Sequence, residues 1–328
     1  MGFGLADKWV WDFWLAQRRE EHHLFYLQAP RSLGVPGLRH HHASIGHAVT
    51  TDWSRWEVLP DALRPGGTGA WDDLATWTGS VLEREGRWWM LYTGISRADG
   101  GRVQRIGLAV SEDLVRWEKH PANPVLEPDG PWYRASEMGG RLGQSWRDPW
   151  LFASRSDGLV HALVTARAAE GVAEESGVIG HARSANLVAW EVLPPLASPG
   201  EFSQMEVPQL VEHADGSCTV LFCCLAEDHS PGRRQRLGTA ACSGTFSLSA
   251  PSFDGPYSVS DSAIGLGSGR GVLYAGKVVR MTDRDLGFMA FRGGGDSEFV
   301  GDIVGPFPLA QVWGLGHEVE TSLPAPGI

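Results

Sequence analysis

The chain has 328 residues, 42 % hydrophobic and 20 % charged, enough to bury a large core and too apolar for an intrinsically disordered chain. Acids outnumber bases 39 to 28, so the average field repels a phosphate backbone and excludes nucleic acid as an expected partner. With 42 Gly, 20 Pro and 15 Trp, the composition fits tight turns between short strands and nearly excludes a helical bundle.

The N-terminus lacks the basic stretch and apolar run of a signal peptide, and no segment approaches 18 uninterrupted apolar residues. A cytoplasmic protein without membrane association is expected. Cys218, Cys223, Cys224 and Cys242 form no zinc-type double pair and read as reduced core thiols.

Trp9 to Trp14 is the first strand-like run. Ile45-Gly46-His47-Ala48-Val49-Thr50-Thr51-Asp52-Trp53-Ser54-Arg55-Trp56-Glu57 follows and returns twice, from Ile106 to Glu118 and from Ile179 to Glu191. A weaker fourth copy starts at Leu237-Gly238-Thr239-Ala240. The starts lie 61, 73 and 58 residues apart, room for one four-stranded sheet with its turns, which is the period of propeller blades. In each clear copy an alternating run reads as an outer strand, followed by a turn that drops a Trp onto the blade.

Inner strands are then expected about the same distance upstream of each copy: Trp9 to Trp14, Trp77 to Leu82, Asp148 to Ala153, Glu206 to Val211 and Leu273 to Val279. The fold class this predicts is all-β, a five-bladed β-propeller, with residues 1–328 as one domain. Turns are expected at Arg64 to Ala70, Pro121 to Pro131, Pro194 to Gly200 and Gly265 to Gly271, and Gly293-Gly294-Gly295 also reads as a turn. Only 19 residues follow Leu309, too few for a C-terminal β-sandwich.

Asp12, Asp148 and Glu206 fall on three of these strands at what reads as one phase. Carboxylates are costly on central strands and need a reason there. Acids clustered in a Trp-rich concavity suit glycoside hydrolysis, in which one carboxylate attacks the anomeric carbon and another protonates the leaving oxygen. Trp11 and Trp77 supply stacking faces beside them, and Tyr274 holds the corresponding place on the fifth strand.

These residues carry a resemblance to the fructan-active glycoside hydrolases of families 32 and 68. Val10-Trp11-Asp12-Phe13-Trp14 and Trp77-Thr78-Gly79-Ser80 resemble family 68 segments. Leu24-Phe25-Tyr26 and Gly46 to Trp56 resemble family 32 segments, and Arg147-Asp148-Pro149 with Glu206-Val207-Pro208 resembles both. The resemblance implies that Asp12 is the nucleophile, Asp148 the stabiliser of ring hydroxyls and Glu206 the general acid/base, acting on a small carbohydrate without a cofactor.

Chemistry then sets expectations for the neighbours. Thr78 or Ser80 should donate to Asp12 to keep it ionised, Arg147 should lower the pKa of Asp148, and the apolar flanks of Glu206 should raise its pKa. Gln28 and His42 are further candidate substrate contacts. His22-His23 and His40 to His42 suggest a metal, but adjacent side chains on an extended segment point opposite ways, so none is expected. Two rival readings stay open: an inverting arabinofuranosidase-type propeller and a non-catalytic sugar-binding propeller.

Overall fold

Antiparallel sheets, four of four strands and one of five, follow one another along the chain in the computed structural model, which describes residues 2–134, 144–265, 269, 271–282, 285–293, 299–313 and 321–322. After a short β1 (Gly2–Phe3), blade I comprises β2 (Lys8–Arg18), β3 (Glu21–Pro30), β4 (Ser44–Thr50) and β5 (Glu57–Leu63). Blade II comprises β6 (Ala75–Arg84), β7 (Arg87–Ile95), β8 (Gln104–Ser111) and β9 (Glu118–Lys119). Blade III comprises β10 (Trp146–Ala153), β11 (Val160–Arg167), β12 (Gly177–Ser184) and β13 (Glu191–Ala197). Blade IV comprises β14 (Glu206–His213), β15 (Cys218–Cys224), β16 (Gly244–Ala250) and β17 (Ser258–Val259), and blade V comprises β18 (Leu273–Arg280), β19 (Leu286–Arg292) and β20 (Ile303–Pro308).

The inner strands β2, β6, β10, β14 and β18 pack each against the next and the last against the first, so the sheets close into a five-bladed β-propeller. The outer place of blade V is filled by β1, with Gly2 opposite Val304 and Phe3 opposite Ile303. Second strands are covered on both faces by neighbouring blades, which is why they read as unbroken apolar runs such as Leu24 to Leu27 and Val220 to Phe222.

The repeated segment forms the third strand of blades I to III, and its Trp-Glu leads into the outermost strand. Between them Asp52, Asp113 and Asn186 each use Oδ1 to accept two backbone N–H groups two and three residues on. The next residue, Trp53, Leu114 or Leu187, takes a φ of 60 to 66° to close the turn. The expected fourth copy is not one. Leu237 to Ala240 lies at the end of a helix, α1 (Pro231–Leu237), and on the 3-10 turn after it, and blade IV takes its third strand from β16. Pro194 to Ala197 continue β13 instead of opening a turn. Residues 266–268, 270 and Gly294-Gly295 lie outside the described residues.

Each inner strand carries one irregularity at the same depth: the pairing register slips between Trp11 and Phe13, Trp77 and Gly79, Arg147 and Trp150, Glu206 and Gln209, and Tyr274 and Lys277. Asp12, Asp148, Val207 and Ala275 sit in these bulges at φ of 24, 55, 53 and 48°. The three acids are therefore not at one phase. Asp12 and Asp148 are bulge residues, whereas Glu206 precedes its bulge and matches Trp11, Trp77, Arg147 and Tyr274. A bulge lets two successive side chains face the axis where a regular strand would show one.

Gly79 in the blade II bulge has no room for a side chain, because a Cβ there would lie 2.3 Å from the Leu91 carbonyl oxygen. Gly79→Ala should lower unfolding stability by about 1–3 kcal/mol through overpacking, seen in urea titrations as a lower midpoint at unchanged slope. An unaltered midpoint would show that the bulge yields freely.

Candidate active site

One cleft of about 520 Å³ opens at the bulged end of the axis, and Asp12, Asp148 and Glu206 all line it. Trp11, Trp77, Thr78, Arg147 and Tyr274 line it as well. Asp12 accepts a 2.7 Å hydrogen bond from Thr78 Oγ1 on Oδ2. Asp148, 4 % exposed, accepts on Oδ2 from Thr165 Oγ1 at 2.8 Å and from the Val207 N–H at 3.3 Å. Glu206 accepts from Arg147 Nη2 and from the Tyr274 hydroxyl, each at 2.6 Å. Arg147 also stands 3.4 Å from Asp148, so one guanidinium spans two of the three acids.

Arg147 is held from behind by two amides. Gln204 Oε1 accepts from Arg147 Nη2 at 3.1 Å and from Ser145 Oγ, and Gln104 Oε1 accepts from Arg147 Nη1 at 3.3 Å and from the Trp146 N–H. A second wall comes from the 3-10 segment Pro36–His42, which brings Arg39, His40 and His41 to the cleft. Trp77 Nε1 donates to the His40 carbonyl at 2.7 Å, tying that wall to blade II, and the Arg39 guanidinium lies 3.9 Å from the Phe299 ring centroid. Arg39, His40, His41, Arg102 and Gln104 were not legible as site residues. The first four come from connections, where no strand period points to a direction, and Gln104 is the first residue of β8, a third strand from which no site residue was expected. Gln204 was legible in principle, since Gln204-x-Glu206 repeats the two-residue step of a strand.

Three candidates do not reach the cleft. Gln28 is buried in blade I, where its Oε1 accepts from Lys8 Nζ and its Nε2 donates to Asp61 Oδ1 at 2.7 Å and to Ser44 Oγ, so it braces the outer strands. His42 is exposed and donates from Nδ1 to the Leu38 carbonyl of its own turn. Ser80 lies beyond the bulge and accepts the Leu151 N–H at 2.8 Å, joining blades II and III, so of the two hydroxyls only Thr78 touches Asp12. Nor do the His pairs converge on one point, since His23 bonds His47 and His22 packs on Trp53.

The electrostatics reverse all three expectations. Burial, then repulsion from Asp148 and Glu206, raises Asp12 to about 7 against the pull of Thr78 and Arg39. Burial also outweighs Arg147 at Asp148, whose pKa is raised, not lowered. Glu206 goes the other way: burial raises it, but Arg147 and the Tyr274 hydroxyl together leave it below the ordinary carboxylate range. Burial and mutual repulsion thus leave both Asp12 and Asp148 reluctant to ionise, and Asp12, the acid with the weakest set of donors, holds a proton up to about pH 7.

With the geometry established, comparisons identify its kin. The description "Glycosyl hydrolases family 32 N-terminal domain" matches residues 14–290. The bifunctional 6(G)-fructosyltransferase/2,1-fructan:2,1-fructan 1-fructosyltransferase of Allium cepa is 33 % identical over 135 residues, 35 % of this chain and 20 % of its own length. Beta-fructofuranosidase 1 of Zea mays is 38 % identical over 111 residues, 33 % of this chain and 16 % of its own length. The matched stretches are thus a fifth or less of these two relatives. Among solved structures, the inulosucrase from Halalkalicoccus jeotgali bound to kestose superposes with a TM-score of 0.69 at 22 % identity, over 89 % of this chain and 79 % of that one, a likeness of fold.

Asp12 links site and stability. Between the ordinary value of 3.8 and about 7, the folded state keeps a proton that the unfolded chain releases. Stability therefore falls as pH rises through that window and levels off above it. Asp12→Asn removes the buried charge, so it should melt close to the parent near pH 4 and at a higher temperature near pH 8. A melting difference that stays constant from pH 4 to 8 would contradict the raised pKa.

Proposed function

The chain belongs to the glycosyl hydrolases family 32 N-terminal domain family, and from that premise we propose that it is a retaining, β-fructofuranosidase-like enzyme, a hydrolase or fructosyltransferase of small fructosides. The observation that carries the reading is the convergence of Asp12, Asp148 and Glu206 from three blades on one cleft, with Arg147 bridging the last two. Asp12 attacks the anomeric carbon as the bond to the leaving oxygen breaks, and Glu206 gives that oxygen its proton. Asp148, rigidly held by Thr165 and the Val207 N–H, accepts hydrogen bonds from ring hydroxyls and carries negative charge beside the oxocarbenium-like transition state. In the second step Glu206 takes a proton from water or a sugar hydroxyl, whose oxygen attacks the same carbon and frees Asp12. Four free cysteines support a reducing compartment such as the cytoplasm.

Before substrate binds, the nucleophile holds a proton up to about pH 7. The reactive form is the minor arrangement with that proton moved to Glu206 and Asp12 ionised, and both arrangements carry the same number of protons. Substrate favours it by inserting a glycosidic oxygen that accepts from a protonated Glu206. The value of kcat/KM then falls once that proton leaves the site, which places the alkaline limb of its pH profile near Asp12's value of about 7. A profile flat to pH 9 on a cleaved fructoside would refute this protonation scheme.

Product analysis after incubation with sucrose, inulin and levan oligosaccharides and aryl furanosides tests the activity itself, with free fructose or longer fructosides separating hydrolysis from transfer. Glu206→Gln should slow natural fructosides by roughly 100-fold or more, the usual scale of general acid catalysis, and slow an activated aryl fructoside far less in single turnovers. Asp12→Asn should abolish both. Equal losses on both substrates in Glu206→Gln, with folding intact, would mean that another group is the acid.

A further inference from the structure

Beneath the acids lies a second ring of side chains, one from each inner strand two residues past the bulge: Trp14, Ser80, Trp150, Gln209 and Lys277. Lys277 is its one charged member and is only 3 % exposed. Its Nζ donates to the Val207 and Pro208 carbonyls, each at 3.0 Å, and lies 5.1 Å from the Trp150 ring centroid. A lysine carried this deep with carbonyls as its hydrogen-bond acceptors is costly to keep charged, and an apolar side chain would fill the same space.

The two carbonyls are the backbone that follows Glu206. Val207 is β-branched and sits at a φ of 53°, a conformation such residues adopt only when their surroundings impose it. Those surroundings are present on both sides. Its N–H donates to Thr165 Oγ1 at 3.1 Å and to Asp148 Oδ2, and its carbonyl is fixed by Lys277. Because Pro208 has no N–H, the carbonyl side is where this bulge is most open to control. The Glu206 carboxylate reaches Arg147 and Tyr274 only from a backbone held in this way.

Resting on the functional reading above, we propose that Lys277 is a positioning residue of the reaction: its ammonium locks the Val207–Pro208 bulge that aims Glu206, and its charge under the cleft favours the ionised form of Asp12. The titratable and charged groups that act on these two are Asp148, Glu206, Cys223 and Arg39, with Arg147 beside the first two. Of these, Arg147 is committed to Asp148 and Glu206. Burial lowers Lys277 to about 8 while Cys223, Asp12 and Asp148 pull it up, so it remains largely charged at neutral pH, and its attraction for Asp12 is mutual.

The test uses Lys277→Met, which keeps the stem and removes the ammonium, and reads Asp12 without relying on turnover. In the parent, the melting difference between Asp12→Asn and the unsubstituted chain should stop growing near pH 7, the midpoint of the Asp12 titration in the folded state. In the Lys277→Met background that midpoint should move up by roughly 1 pH unit or more, because loss of a positive charge near a carboxyl group favours its protonated form. With a cleaved fructoside, the alkaline limb of kcat/KM should move up in step and the plateau should fall. The loss should be larger on natural than on activated substrates, because a displaced Glu206 donates poorly. An unmoved midpoint with equal losses on both substrates would reduce Lys277 to packing and overturn the proposal. If Lys277→Met does not fold, Lys277→Gln retains an N–H donor for one carbonyl without the charge and should show the same midpoint shift. Absence of cleavage by the parent, with the midpoint still shifted by Lys277→Met, would instead overturn the functional reading and leave the electrostatic link standing.

Discussion

One extra residue at the same depth in every inner strand is the constraint from which this site follows. A regular strand alternates its side chains, so a propeller funnel built from regular strands would show one side chain per strand at a given depth. The bulge breaks that alternation. Arg147 and Asp148 both face the cleft because they straddle it, as Trp11 and Asp12 do in blade I and Trp77 and Thr78 in blade II. The conformational cost is borne by positive φ at Asp12, Asp148, Val207 and Ala275. Asp tolerates that region better than most residues, whereas Val207 is held there by bonds to both its N–H and its carbonyl.

Charge is arranged in layers along the same axis. Three carboxylates crowd the funnel; Arg147 offsets two of them from the side, and Lys277 lies below. Asp12 is the acid left over, with one hydroxyl donor and the pull of Arg39, and so it holds a proton up to about pH 7. Under the proposed roles of these acids, this distribution has a use. A nucleophile given its own arginine would be strongly ionised but slow to share electrons with carbon, and an acid without Arg147 and Tyr274 would be free to turn away from the leaving oxygen. The site accepts an unfavourable resting protonation in exchange for fixed geometry, and substrate binding has to supply the difference.

The blades were legible in the sequence because turn chemistry is local. Asp52, Asp113 and Asn186 make the same two backbone hydrogen bonds at the same offset, so the period survives wherever that turn survives. It is lost in blade IV, where α1 intervenes between the second and third strands and the Leu237 to Ala240 echo is accidental. The closure of blade V by Gly2–Phe3 was hidden because a two-residue strand has no period. Within the site, residues on inner strands could be placed, but a one-residue bulge decides direction and leaves no mark in composition. This is why Glu206 was given the wrong phase and Ser80 the wrong neighbour. Gln28 and His42 failed for a related reason: a polar residue near a cleft has other polar groups to satisfy, and here Asp61 and the Leu38 carbonyl take them.

The internal symmetry also bears on Asp12 in a way that relatives do not. The family match begins at residue 14, two positions past this carboxylate, so the match itself says nothing about Asp12. The propeller compares the chain with itself. Asp12 and Asp148 occupy equivalent bulges two blades apart, each followed two residues on by a Trp, and each is met from a neighbouring strand by a threonine hydroxyl, Thr78 in one case and Thr165 in the other. The bulge has been built twice around a carboxylate, with the hydroxyl supplied by the next blade's bulge for Asp12 and by the second strand of its own blade for Asp148, in a fold whose other bulges carry Thr78, Val207 and Ala275. Since a buried acid in a strained conformation lowers stability wherever it stands, its occurrence at two equivalent positions facing one cleft is better accounted for by shared chemistry than by packing.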